Sequence, residues 1–346
     1  MAAAAAALQR VRSSSLVDAV GLLLLASVIV FLLAKFFDDP TRFLNVGIIG
    51  MTNGAVYGLV ALGYTLVYGI LQLINFAHGD VFALSGLVAS TMIISVIGLD
   101  QDSGVIVIIL GLLGTLVVTI PVFALLNATI ERVAYKPLRN APRLAALITA
   151  VGVSFIVQNV ALGLYGVDFE SVPNFIPRTN AITIGEVAIQ WNKLAIFLIV
   201  IPVLVVLTWF VSSTRQGKAM RAVAQDKDAS AMMGIDVDRT ISVTFFLAGS
   251  LAAVAGLVYL LQFNIRYDTG FELGLIAFTA AVLGGIGNLT GAVLGAMFIG
   301  MVQAFNEGLD GTPGGDWTRS IVFGILIAVL VFRPQGILGE RTPEGA

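Results

Sequence analysis

Ten apolar stretches, separated by short polar or glycine-bearing segments, divide the chain. They fall at 16–37, 45–71, 78–98, 104–130, 144–166, 192–212, 240–262, 271–285, 289–306 and 317–333. Most reach the roughly 20 residues that an α-helix needs to cross a hydrocarbon core of about 30 Å. A lipid environment cannot satisfy open backbone groups, so such runs are read as helices. The pattern predicts an all-α, polytopic transmembrane helical bundle of about ten membrane segments, including broken or re-entrant helices. It forms a single transmembrane domain over 16–340, between an N-terminal tail, 1–15, and a C-terminal tail, 341–346.

Charge sets the orientation, because cytoplasmic loops hold Lys and Arg. One cationic loop carries Arg132, Lys136, Arg139 and Arg143; another carries Arg215, Lys218, Arg221, Lys227 and Arg239. Two spans separate them, so both can face the cytoplasm. The intervening loops at 99–104, 166–180 and 306–316 lean acidic, as the opposite face should. Parity then makes 271–306 dip in and return, broken at Gly284-Gly285-Ile286-Gly287-Asn288, and leaves both termini cytoplasmic. Arg266 is one cation on the wrong side, offset by Asp268. At the amino end, Arg10 and Arg12 before an apolar run raise a secretory signal. That run is long and lacks a small-residue cleavage site, so it is read as a retained first span.

Composition narrows the class. Of 346 residues, 58% are hydrophobic and 12% charged, half the charged share of ordinary soluble domains, and the mean hydropathy is +0.97. A net charge of −2 gives no basic footprint for nucleic acid. With no Cys and one His, neither a thiolate site nor a metal cluster is expected, and a membrane-embedded enzyme would need one or a paired acid and base. The 37 Gly suit close packing of spanning helices.

Two segments carry candidate chemistry. Thr214 to Arg239 is too polar to span, yet Ala222, Gln225, Ala229, Met232 and Met233 fall on one stripe, predicting a short amphipathic helix. Such a helix can lie on lipid or insert its stripe into a partner's groove. The second segment, Gln72 to Asp80, gathers Asn75, His78 and Asp80 between Gly69 and Gly79. It reads either as a cytoplasmic turn or as a helix break. Together with the later glycine break it fits the paired interruptions that mark transporter sites.

Several stretches, in order, resemble the branched-chain amino acid permeases of ABC importers. These are NGAVYGLVALGYTLVYGILQLINFAHGD (53–80), ERVAYKPLRNAPRLAALITAVGVSFIVQN (131–159), FTAAVLGGIGNLTGAVLGA (278–296) and RPQGILG (333–339), with Gly217 to Asp236 similar to that family's coupling loop. The match covers roughly 45–340. Many ABC permeases carry Glu-Ala-Ala before the loop glycine; Ala224-Gln225-Asp226 departs from that and is closer to the branched-chain variant.

The resemblance implies a multi-pass inner-membrane permease subunit whose loop, 214–239, contacts an ATPase through Gly217, Arg221, Gln225, Asp226, Ala229, Met232, Met233 and Gly234. The implied partners are two cytoplasmic ATPase subunits, a second homologous permease and an external solute-binding protein. This chain has no phosphate-binding loop of its own, since Ala219 follows Gly217-Lys218 and Ser212 stands at the first glycine position. No cofactor is expected on it, and ATP is used by the partner. The substrate path is assigned to Asn53, Asn75, His78, Asp80, Gly284, Gly285, Gly287 and Asn288, with helix amino ends at the breaks receiving a substrate carboxylate. The alternatives are an ABC permease for urea or a small amide, a proton-driven carrier, which would keep a carboxylate inside its spans, and a channel. Glu131, Glu272 and Glu307 all fall near predicted span ends, which speaks against the carrier.

Overall fold

The structure is a computed structural model that describes residues 26–139, 141–333 and 335–339. The tails at 1–15 and 341–346 and the start of the first span lie outside the described residues. Helix α1 is described over 26–38. It is followed by α2 (Pro40–Leu71), α3 (Ala77–Thr91), α4 (Val105–Ile130), α5 (Arg143–Tyr165), a hairpin of β1 (Asn180–Ile184) and β2 (Val187–Gln190), then α6 (Trp191–Ser213), α7 (Arg215–Gln225), α8 (Lys227–Met232), α9 (Val237–Leu260), α10 (Thr269–Gly284), α11 (Leu289–Gly308) and α12 (Gly315–Phe332). Among the described residues eight helices, counting the π-turn that extends α3 to Ile97 and the turns that extend α4 to Leu138, are long and apolar enough to span. With α1 and the shorter α10, the expected ten membrane segments are accounted for.

The bundle has an inner and an outer set. Helix α2 is the axial element: Pro40 opens it behind an N-cap Asp39, whose carboxylate accepts from the Arg42 amide, and every residue from Thr52 to Val67 is buried. At 32 residues it is about 48 Å long, starting five residues earlier than the apolar pattern suggested. Helices α11, α9 and α10 pack around it, while α4, α5, α6 and α12 turn many of their large apolar side chains outward. That exposure is what lipid-facing helices require.

Small residues set how closely the inner helices approach. Gly50 and Gly54 meet Gly300 of α11 backbone to backbone: a Cβ at Gly54 would lie 2.7 Å from the Met297 Cα, and one at Gly300 would lie 2.6 Å from the Gly54 Cα. This four-residue glycine spacing is the device that brings spanning helices together where no hydrophobic effect can.

The connections sort onto two ends, as the charge pattern requires. At one end Lys136 and Arg139 pair with Asp238, joining the two cationic loops. At the other, Glu170 and Ile265 exchange backbone hydrogen bonds, Arg42 holds Asp310, and Thr41 donates to Glu186.

The structure departs from expectation in three places. The outer loop before α6 contains the antiparallel β1–β2 hairpin, turned at Gly185 with φ +64. Of the two arms of 271–306, α10 has 16 residues and is short for a crossing, whereas α11, with 20, is not. The single amphipathic helix expected in 214–239 is two helices, because Asp226 leaves helical geometry at φ −154 and caps α8 by accepting from the Ala229 amide.

Candidate translocation and coupling sites

The first site is the start of α3. Gln72, the one described non-glycine residue with positive φ, ends α2 in a left-handed turn, and the chain re-enters the bundle at Ala77. Asn75, His78 and Asp80 are all at most 2% exposed. The segment is therefore the joint between two spans, with its polar residues facing inward. Tyr135 donates to the Asn75 Oδ1 at 2.7 Å. Asp80 accepts from the Gln158 amide at 2.9 Å and from the Ser154 hydroxyl, both on α5. It sits in the first turn of α3, where the helix dipole favours an anion.

His78 is wedged against α2 at Gly63, the position that gives its ring room, with the Tyr64 ring edge-on at 5.0 Å. Among the described residues, its two ring nitrogens and the Asn75 Nδ2 have no hydrogen-bond partner. Unsatisfied buried polar atoms are costly, and they cluster here with a carboxylate that has no cation partner among the described residues.

The remaining path candidates lie elsewhere. Asn53 is ten residues before Gly63 on α2, about 15 Å along the axis, and accepts from Gln262 at 3.1 Å. The 284–288 break stands beside Gly69, whose added Cβ would lie 3.6 Å from the Gly287 Cα. There Gly285 and Gly287 take positive φ of +107 and +93. The carboxyl segment closes it: Ile337 and Leu338 donate to the carbonyls of Leu283 and Gly284, and Asn288 donates to Leu338. The amino end of α11 is capped by the Asn288 side chain, which accepts from Gly291 at 2.9 Å, so in this conformation it is not open to a carboxylate.

The second site is the α7–α8 elbow. The packed face of α7 is Gly217, Met220 and Val223, offset from the expected stripe. The Thr214 hydroxyl caps α7 at the Gly217 amide, and Arg221 donates to the last carbonyls of α6, Val211 and Ser212. Arg221 thus fixes the angle between span and elbow. After α8, Ile235 donates to Ser230 and Gly234 to Ala231, with Gly234 at φ +83. This double closure is a Schellman motif. The pair it holds out, Met232 and Met233, is 83% exposed at both positions; Gln225 and Asp226 are exposed, and Ala229 is half-buried.

A cluster whose joint role the sequence did not reveal ties the end of α4 to the start of α9, where the elbow enters that span. Glu131 is fully buried and receives Arg139 and Ser242, while Arg139 also binds Asp238 at the start of α9. Burial, and then the nearby Arg139 guanidinium, push the Lys227 ammonium of α8 below its ordinary range.

Against this geometry, residues 48–331 match the family described as branched-chain amino acid transport system / permease component. The chain belongs to that family. It is a multi-pass inner-membrane permease. A relative in Pseudomonas aeruginosa, the high-affinity branched-chain amino acid transport system permease protein BraD, is 38% identical over 301 residues, covering 85% of this permease and 95% of the relative. LivH of Escherichia coli, named likewise, is 36% identical over 300 residues, with the same two coverages. A solved structure, PsaBC from Streptococcus pneumoniae in complex with Fab, aligns over 89% of this chain and 97% of that one at 14% identity and a TM-score of 0.42.

Proposed function

We propose that this permease is the translocating subunit of an ATP-driven importer for branched-chain or related aliphatic amino acids. It would work with two cytoplasmic ATPases, a second homologous permease and an external solute-binding protein. The observation that carries the reading is the rigid, outward-facing Met232–Met233 pair at the end of a Schellman-closed helix. Two flexible thioethers on a fixed mount suit insertion into a groove on a moving partner. The mount is braced to α6 through Arg221 and runs directly into α9, whose Asp238 and Ser242 are tied to the end of α4 through Arg139 and Glu131, so a pull on the elbow reaches α6 and α9 directly and α4 through α9.

The substrate chemistry also fits. A branched-chain amino acid is a zwitterion with an aliphatic tail. Asp80 can oppose its ammonium, the amino end of α3 and the Asn75 amide can meet its carboxylate, and apolar walls can take the tail. Asp80 is also the kind of buried carboxylate that a proton-driven carrier would use; membership of the permease family and the presented elbow weigh against that use.

Met232→Asp with Met233→Asp is expected to abolish ATP-dependent uptake in proteoliposomes while leaving the amount of folded permease unchanged, because neither side chain is packed. Asp228→Cys, the sole thiol in a chain without Cys, is expected to crosslink to a co-purifying ATPase. Labelling of that thiol only from outside the cell would overturn the orientation. Asn75→Ala and His78→Ala are expected to slow transport; unchanged rates would remove both from the path.

A further inference from the structure

A groove between α4 and α9, at the end of the bundle that bears the cationic loops, is absorbed by neither site above. It is lined by Leu125, Ala128, Arg132, Arg239, Val243 and Phe246, among others. The two helices run antiparallel there, held by Asn127 donating to the Phe245 carbonyl at 2.7 Å and by Gly249 lying directly against the Phe123 backbone. On α4 the lining residues step by three and four from Leu125 through Ala128 to Arg132 and Lys136. On α9 they step from Phe246 through Val243 to Arg239 and Asp236. Both stripes therefore change from apolar to charged toward the same end. The change takes seven residues on each helix, about 10 Å.

The charges at the mouth are unequal. Lys136 and Asp238 are engaged with each other at 2.7 Å, and the Asp236 carboxylate caps the Arg239 amide at 2.9 Å. Arg132 and Arg239 are exposed and take part in none of the described salt bridges. Three lining cations against two acids leave the mouth net positive. Leu125, 60% exposed, and Phe246, 38% exposed, continue the wall into the lipid-facing surface. An apolar slot that opens sideways into hydrocarbon, under cations at headgroup level, is complementary to one molecule class: a two-chain lipid with a single anionic phosphodiester.

We infer that the α4–α9 groove is a binding site for an anionic phospholipid, with Arg132 and Arg239 holding the phosphodiester and Leu125, Val243 and Phe246 holding an acyl chain. The site shares a wall with Asp238 and Ser242, the partners of Arg139 and Glu131, so a bound lipid stiffens the start of α9 just where the elbow joins it.

The test uses the full permease in nanodiscs of phosphatidylcholine with a small fraction of phosphatidylglycerol, and counts lipid retained by native mass spectrometry. The unaltered protein is expected to retain phosphatidylglycerol selectively. Arg132→Gln with Arg239→Gln is expected to lower that retention about thirtyfold, the factor set by two basic contacts at a membrane surface. Arg132→Lys with Arg239→Lys should recover most of it, which separates lost charge from lost folding. Equal retention by the Gln variant and the unaltered protein overturns the site. So does displacement of the lipid by millimolar inorganic phosphate, which would mark a simple anion site, or a crosslink from Arg132→Cys to a protein partner, which would mark a protein interface.

Discussion

Gly63→Ala tests the packing on which the first site depends. A methyl group at Gly63 would overlap the His78 ring, with Nε2 and Cε1 the nearest atoms and Cδ2 at 3.2 Å. Both helices are fully buried there, so the ring has no solvent into which to swing. Overpacking of this kind costs about 1–3 kcal/mol, and displacing the ring from Tyr64 forfeits a further ~0.5–1.5 kcal/mol of edge-to-face contact. Against this, alanine is favoured over glycine inside a helix by about 1 kcal/mol. The net is a loss of roughly 2 kcal/mol, close to thirtyfold in a folding equilibrium. In a His78→Ala background the overlap vanishes and only the helix preference remains, so Gly63→Ala should change sign and become mildly stabilising. The assay is the fraction of detergent-solubilised permease that remains monodisperse after a heat step, for the four members of the cycle. A Gly63→Ala penalty of the same size with and without His78 would refute the reasoning, since it would show that the imidazole does not occupy the space Gly63 leaves.

Three further perturbations separate the roles of charged and glycine positions. Arg139→Ala leaves the fully buried Glu131 with only Ser242 as a partner and should cost about 3–5 kcal/mol, seen as a large fall in folded yield that Glu131→Gln in the same chain partly restores. Asp310→Ala removes the partner of Arg42 at a site where the two side chains are 45% and 76% exposed; the expected loss is under about 1 kcal/mol, and the melting temperature should move less still in high salt. Gly285→Ala forces a side chain into φ +107 with the Gly339 Cα only 2.6 Å from the new methyl group. A cost of at least about 2 kcal/mol is expected from the backbone alone, along with proteolytic exposure of the carboxyl segment that Leu283 and Gly284 now hold.

How much of this was legible in the sequence depends on which physical constraint each feature obeys. The spans and their two-ended arrangement were legible because a lipid core enforces length and charge placement without regard to neighbours, and the Lys136–Asp238 contact joins the two loops that charge alone had put together. The register of the elbow was not. An apolar stripe says that one face of a helix avoids water, not what covers it, and this segment has two stripes. Gly217, Met220 and Val223 pack inward, while Met232 and Met233 are left outside. Asp226 can sit on a helix surface or cap a new helix, and only the packing of α7 decides for the cap. The same limit hid Glu131. Its place at a span end suggested an exposed carboxylate, yet the chain continues in a π-turn through Tyr135 that rotates Glu131 inward and brings Arg139 back over it. A residue eight positions away thus neutralises a charge that hydropathy had placed in water. The brace between α4 and α9, beside the elbow, therefore follows from a local helix irregularity, which leaves no periodic trace in the pattern of apolar residues.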